Sequence, residues 1–175
     1  NMRFKNVFCT QLYKDTFYPL KYSEYVLKYS EETNTDPYLI YAVINTESKF
    51  NMEVVSDVGA RGLMQIMKDT FDWIKYRKKD IREITYDDIF EPEYNIEYGT
   101  YMLSLLCEEY QDIPTAIAAY HAGRGTVNNW LKNPEYSTDG KTLDNIPSNT
   151  TGHYVNKVLK AYEGYTNLYN NKKDG

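Results

Sequence analysis

Apolar side chains recur along this chain in steps of three and four, and that spacing predicts helices. Pro92 opens a long helix to about Tyr110, whose broad apolar side carries Ile96, Tyr98, Met102, Leu103, Leu105 and Leu106. Asp36-Pro37 supplies an acceptor followed by a proline suited to the first helical turn, and the apolar run Leu39 to Ile44 carries that helix to about Phe50. Further helices are expected near 21–33, from Asp69-Thr70 to about Lys79, and from Pro114-Thr115 through Ala119 to a break at Gly123-Arg124-Gly125. A last helix from about Thr151 repeats Val155, Val158, Leu159 and Tyr162 at helical spacing. Gly59 and Gly62 bracket a turn before Leu63-Met64-Gln65-Ile66-Met67, a run too short to classify by period. Residues 133–149 are dense in Asn, Pro, Ser, Gly and Asp and predict a long surface loop.

With 175 residues and no internal repeat or linker, the chain is expected to form one mainly α-helical domain. Residues 1–17 read as an N-terminal lead-in that packs on the domain, residues 18–165 as the domain itself, and 166–175 as a polar tail that frays. A net charge of -5 gives no basic footprint for phosphate, which argues against nucleic acid as a partner. Cys9 and Cys107 lie far apart and the histidines are only His121 and His153, so no metal or other cofactor is expected. A disulfide between the two cysteines stays open. The count of 19 tyrosines admits either a biased codon usage or rings suited to sugar faces. No window has the run of apolar residues that a membrane span needs, and the first twenty residues lack the core of a signal peptide.

One carboxylate sits where carboxylates are rarely found. Glu47 lies seven residues after Ile40, four after Val43 and three after Ile44, so all four share one helix face. If that face points into the core, the carboxyl emerges at the core edge, where desolvation raises its pKa from an ordinary value of about 4.3 toward that of a general acid working near neutral pH. Periodicity also admits the other outcome, in which the last helical turn rotates Glu47 into solvent.

The stretch Glu47-Ser48-Lys49-Phe50-Asn51, then Val55-Ser56, then Gly59-Ala60-Arg61-Gly62-Leu63-Met64-Gln65-Ile66-Met67 closely resembles the first motif block of soluble lytic transglycosylases. Asn95-Ile96 with Gly99, Ala118-Ala119-Tyr120-His121-Ala122-Gly123, and Ile146-Pro147 followed by Thr151 and Tyr154-Val155 occur in that family's order. The resemblance spans roughly residues 18 to 165 and implies a helical lysozyme-like fold. It makes Glu47 the catalytic acid and base, with Tyr154 approaching its carboxyl. By the same resemblance, Ser56 falls near the reacting sugar, Gln65 and Met67 line the glycan groove, Tyr120 shapes a subsite, and His121 and Thr151 belong to the substrate-binding set. Three positions depart from the family pattern. His121 stands where an asparagine is usual and cannot offer a carbonyl and an amide together; Thr150 replaces a glutamate; and Lys68 replaces a proline, which is expected only to loosen a turn.

The resemblance implies cleavage of the MurNAc-GlcNAc bond of peptidoglycan by a monomeric, extracytoplasmic enzyme that requires no metal or cofactor. An export signal or anchor is then expected to have been removed from the chain. Only one carboxylate is recognisable where most glycosidases use two, so the acetamido group of the substrate is expected to supply the missing nucleophile, with a 1,6-anhydro product. Two alternatives remain: hydrolysis by a lysozyme-type muramidase, although Asp57, Asp69 and Asp72 match no pattern for its second carboxylate, and a glycan-binding module that has lost its chemistry.

Overall fold

The computed structural model describes residues 2–170, with side chains from Thr10 onward. Among the described residues eight α-helices follow one another: α1 (Met2–Phe17), α2 (Ser23–Thr33), α3 (Pro37–Ser48), α4 (Lys68–Lys78), α5 (Pro92–Tyr110), α6 (Ile113–Ala122), α7 (Arg124–Leu131) and α8 (Asn149–Tyr169), with a 3₁₀ turn at Tyr86–Phe90. Strand pairing among the described residues is limited to isolated bridges, Val55 with Arg61 and Arg61 with Ile66. The expected mainly helical fold is the one observed.

Helix α3 starts as its sequence dictates. The Asp36 carboxylate accepts the Tyr38 amide at 2.8 Å, satisfying an amide that the first turn cannot, and Pro37 occupies a position where no amide is needed. Every residue from Leu39 to Asn45 is buried, so the helix is enclosed on all sides. It packs along α8 and against α2, while α5 packs on α2, α4 and α6, and α6 bridges α5 to α8. Ile40, Ile44, Leu63, Met64, Ile96, Leu103, Leu106 and Ile117 fill the centre with no measurable exposure. Removing that much aliphatic surface from water is the main force holding the helices together.

The structure amends several sequence expectations. The lead-in is itself helical, and its end is tied to the domain where the Asn45 amide donates to the Phe17 carbonyl at 2.9 Å and Lys14 Nζ to the Leu168 carbonyl at 3.2 Å. Helix α4 begins at Lys68, ahead of Asp69-Thr70, and Met67 stands at its cap without a side-chain bond. Lys68 thus holds a first-turn position that a proline also tolerates, and it pairs with Asp72 at 2.6 Å. Asp112 caps α6 through the Thr115 amide at 2.9 Å, and Ser148 caps α8 through the Thr151 amide at 3.2 Å, so α6 starts one residue and α8 two residues before the expected position. The break expected at Gly123-Arg124-Gly125 is confined to Gly123, and α7 starts directly after it. Residues 133–148 form a helix-free loop, docked where the Leu143 amide donates to the buried Thr115 hydroxyl at 3.0 Å. Cys107 carries no disulfide; of the expected polar tail, residues 166–169 continue α8, while residues 171–175, like the side chain of Cys9, lie outside the described residues.

Residues 49–67 run from α3 to α4 without helix, and side chains of three helices hold them. Asn95 of α5 has no exposed surface: its amide nitrogen donates to the carbonyls of Arg61 (3.0 Å) and Ile89 (2.8 Å), and its oxygen accepts the Met64 amide at 2.7 Å. Ser48 of α3 donates to the Leu63 carbonyl at 2.8 Å, and Tyr120 of α6 to the Met64 carbonyl at 2.8 Å. Two glycines permit this closeness. A Cβ on Gly62, whose φ is +75°, would lie 2.2 Å from the Asn95 amide nitrogen, and one on Gly99 would lie 2.4 Å from Met64 Sδ. The segment leaves α3 by an abrupt reversal in which Lys49 (φ 52°) and Phe50 (φ 63°) both adopt the left-handed conformation.

Asn95→Ala strands the buried Met64 amide and the buried Ile89 carbonyl, while the Arg61 carbonyl keeps the Ile66 amide at 3.0 Å, so it is expected to lower unfolding free energy by about 3 kcal/mol, read as a fall in the urea midpoint with an unchanged slope.

Candidate active site

Glu47 sits in the last turn of α3, and Ile40, Val43 and Ile44 beneath it on the same face are completely buried. The face therefore points into the core, and the half-buried carboxyl stands at its rim. Loss of water around it is the dominant influence and lifts its pKa to about 7, while a hydrogen bond from Tyr154 pulls in the opposite direction. The resulting acid is close to half protonated at neutral pH. Like-charge repulsion from another carboxylate plays no part in that shift. Asp57 and Asp69 are exposed, and Asp72 is paired with Lys68.

Tyr154 reaches Glu47 from α8, 107 positions further along the chain, and its hydroxyl donates to Oε1 at 2.7 Å. Only the packing of α8 along α3 makes that contact. Burial, and then the Glu47 charge, hold the Tyr154 hydroxyl well above its ordinary pKa, so it remains a donor throughout the working range. Tyr120 of α6 is shifted in the same direction, by burial and then by Glu47, which places a second phenol within electrostatic reach of the acid.

His121 lies flat against Tyr154, ring centroids 4.5 Å apart and planes 29° from parallel, with Nδ1 3.2 Å from the hydroxyl of the buried Thr151. Its pKa falls because it is partly desolvated, so the neutral imidazole prevails at neutral pH. Glu47, Tyr154, His121, Thr151 and Tyr120 thus form one connected cluster drawn from α3, α6 and α8.

The other sequence-nominated residues belong to the connecting segment. The Ser56 hydroxyl accepts the Ala60 amide at 3.0 Å and closes the turn at Gly59. Gln65 has a left-handed backbone (φ 52°) and donates its amide protons to the carbonyls of Val54 (3.1 Å) and Gly62 (2.9 Å), leaving chiefly its oxygen for a ligand. Met67 is exposed at the head of α4, and Thr150 is exposed at the start of α8. Asn95 and Ser48 were given no role by sequence reasoning, although the single amide on an otherwise apolar helical face and the serine beside Glu47 were visible. No cluster of three or more His, Cys, Asp or Glu suited to a metal occurs among the described residues. No described helix is long and apolar enough to cross a membrane.

The family profile described as "Transglycosylase SLT domain" matches residues 24–143. The soluble lytic murein transglycosylase of Salmonella typhimurium is 32% identical over 166 residues, covering 90% of this chain and 24% of that protein. A membrane-bound lytic murein transglycosylase C from Pectobacterium atrosepticum is 31% identical over 169 residues, covering 83% of this chain and 46% of that protein. The chain thus spans well under two thirds of these relatives. The structure of an inactive glutamate-to-glutamine mutant of lytic transglycosylase Slt from Pseudomonas aeruginosa superposes with a TM-score of 0.78 at 29% identity, covering 90% of this chain and 26% of that one. The matched profile extends over most of the chain, from α2 into the 133–148 loop and through the segment that surrounds Glu47, so the chain belongs to the transglycosylase SLT domain family.

Proposed function

We propose that this chain is a peptidoglycan lytic transglycosylase that cuts the β-1,4 bond between N-acetylmuramic acid and N-acetylglucosamine, with residues 18–165 as its catalytic unit. The observation that carries this reading is a single carboxyl, lifted by burial to about 7 and bonded by Tyr154 at 2.7 Å, with no carboxylate partner among the described residues. A neighbour of the same fold loses activity when one glutamate becomes glutamine, which agrees with chemistry resting on one such group. The relatives carry murein in their names, one of them membrane-bound, and peptidoglycan lies outside the cytoplasm, so we place the enzyme's action there, as a monomer on glycan strands.

In the first step protonated Glu47 gives its proton to the bridging oxygen as the C1–O bond of muramic acid breaks, and the acetamido oxygen of the same sugar bonds to C1. The nucleophile is already tethered to the reacting ring, so its effective concentration exceeds that of any water. In the second step the carboxylate left behind takes the proton of the C6 hydroxyl; O6 bonds to C1 as the acetamido oxygen departs, leaving a 1,6-anhydro end and restoring the acid. Tyr154 serves both halves. Its donated bond strengthens when Glu47 becomes charged and orients the carboxyl toward the ring. His121, packed against the Tyr154 ring, and Thr151 behind it hold that phenol in place, while Tyr120 and Met67 flank the sugar and Ser56 and the Gln65 oxygen face its acetamido and hydroxymethyl groups.

Glu47→Gln is expected to keep the fold and glycan binding and to reduce turnover by several orders of magnitude; mass spectrometry of the wild-type digest should show ends one water lighter than hydrolysed ones. Detection of hydrolysed ends alone would replace this reading with a muramidase.

Two pH effects follow from the raised acid. The first step needs the protonated carboxyl, so activity falls as pH rises through about 7. Tyr154→Phe removes the one influence that lowers the Glu47 pKa, so it should reduce kcat and move this basic limb to higher pH. Folding follows the same proton. The folded chain holds it more tightly than the unfolded chain, so the contribution of Glu47 to stability is full below its unfolded pKa and declines as pH rises through about 7. Glu47→Gln should therefore raise Tm at pH 8 relative to the wild type, with the difference vanishing near pH 4.

A further inference from the structure

The chain segments that carry Met67 and His121 run on from those residues into the next helices. From Met67 the chain enters α4, and Asp69, Thr70 and Trp73 follow on its first turns; from Tyr120 and His121 it passes through Gly123 to Arg124 at the head of α7. These continuations meet. Asp69, Thr70, Trp73 and Arg124 enclose a depression of about 350 Å³ floored by Met102 of α5. It shares Trp73, Met102 and Arg124 with a second depression of about 510 Å³, bordered further out by Glu108 and Glu109. The joined groove has the dimensions of a small-ligand site.

Its lining is that of a sugar site. Trp73 is 38% exposed, a large indole left partly open at the groove on an otherwise charged stretch of helix. Arg77 lies over it, 5.4 Å from the ring centroid, which steadies the ring. Arg124 is clamped by Glu109, Nε to Oε2 at 2.7 Å and a second nitrogen to Oε1 at 3.2 Å, so the rim has fixed donors and acceptors. Asp69, Glu108 and Glu109 line the groove together with Arg77 and Arg124, so both signs of charge face it. A flat apolar face ringed by alternating donors and acceptors suits the face, hydroxyls and acetamido group of a hexosamine.

We infer that Trp73 is the platform of a distal subsite, holding an N-acetylhexosamine unit of the same glycan strand that is cut at Glu47, and that it makes the enzyme prefer long strands. The inference rests on the glycan-cleaving reading given above and extends it to a residue outside the family motifs.

The test compares kcat/KM for uncrosslinked GlcNAc-MurNAc tetrasaccharides and octasaccharides. The wild type should favour the octasaccharide, and Trp73→Ala should reduce that ratio about tenfold, equivalent to roughly 1.4 kcal/mol. Trp73→Leu keeps the apolar bulk against Met102 without the flat ring and should show the same loss, whereas Trp73→Tyr should keep most of the ratio. A wild-type ratio near one, or a ratio that Trp73→Leu leaves unchanged, overturns the subsite. Absence of any turnover by the wild type overturns the catalytic reading instead. In that case calorimetric affinity for the octasaccharide, Glu47→Gln against Glu47→Gln with Trp73→Leu, decides the subsite: about tenfold weaker binding supports it and equal binding overturns it.

Discussion

The arrangement turns on how a stretch with neither helix nor sheet is kept in one shape inside a helical protein. Leu63 and Met64 are buried, and their backbone groups would be left unpaired there if side chains did not answer them. Ser48, Asn95 and Tyr120 do so from α3, α5 and α6, each at 2.7 to 2.8 Å. Each of those helices is thereby referenced to the same two residues. Ser48 adjoins Glu47, and Tyr120 adjoins His121, so the polar network that closes the core also sets the spacing of the Glu47 cluster. A shift of any of the three helices breaks a buried bond, and the loss is larger than the modest net value of the same bond at the surface.

Given that frame, the chemistry depends on where water is excluded. The floor of Ile40, Val43 and Ile44 raises the proton affinity of Glu47, and Tyr154 restrains the rise. These opposed influences leave an acid able both to give and to take a proton near neutrality, the condition for one group to serve both halves of a reaction. A second carboxylate close by would raise the affinity further and leave the group protonated when it is needed as a base. A phenol instead favours the charged form without adding charge of its own.

Much of this was legible from spacing. The Asp36-Pro37 start of α3, the Pro92 start and Tyr110 end of α5, and the shared face of Ile40, Val43, Ile44 and Glu47 follow from local rules of capping and period, and each recurs in the structure. What escaped was of two kinds. Helix α1 mixes charge and aromatics without an apolar stripe, α7 is two turns long, and α4 begins at Met67-Lys68 with no side-chain cap, so local signals were weak or pointed two residues downstream. The remaining features are contacts between distant parts of the chain. A lone asparagine on an apolar helix reads as an interruption until its three partners are known, and the stacking of His121 on Tyr154 exists only because α6 and α8 are neighbours.

The reversal after Ser48 has a consequence for how this fold can change. Left-handed backbone at Lys49 and Phe50 is conformation that glycine or asparagine adopts at little cost, and holding it with bulky residues forgoes about 1 kcal/mol at each. Phe50 is nevertheless buried, its ring 6.3 Å from that of Tyr41, so packing has outweighed backbone ease there. Lys49 is exposed, and its side chain is held only by a bond from Nζ to the Asn45 oxygen at 3.3 Å. The two neighbours are therefore under opposite pressures: relaxing the first would tighten the end of the helix that carries Glu47, while relaxing the second would open a void beneath it.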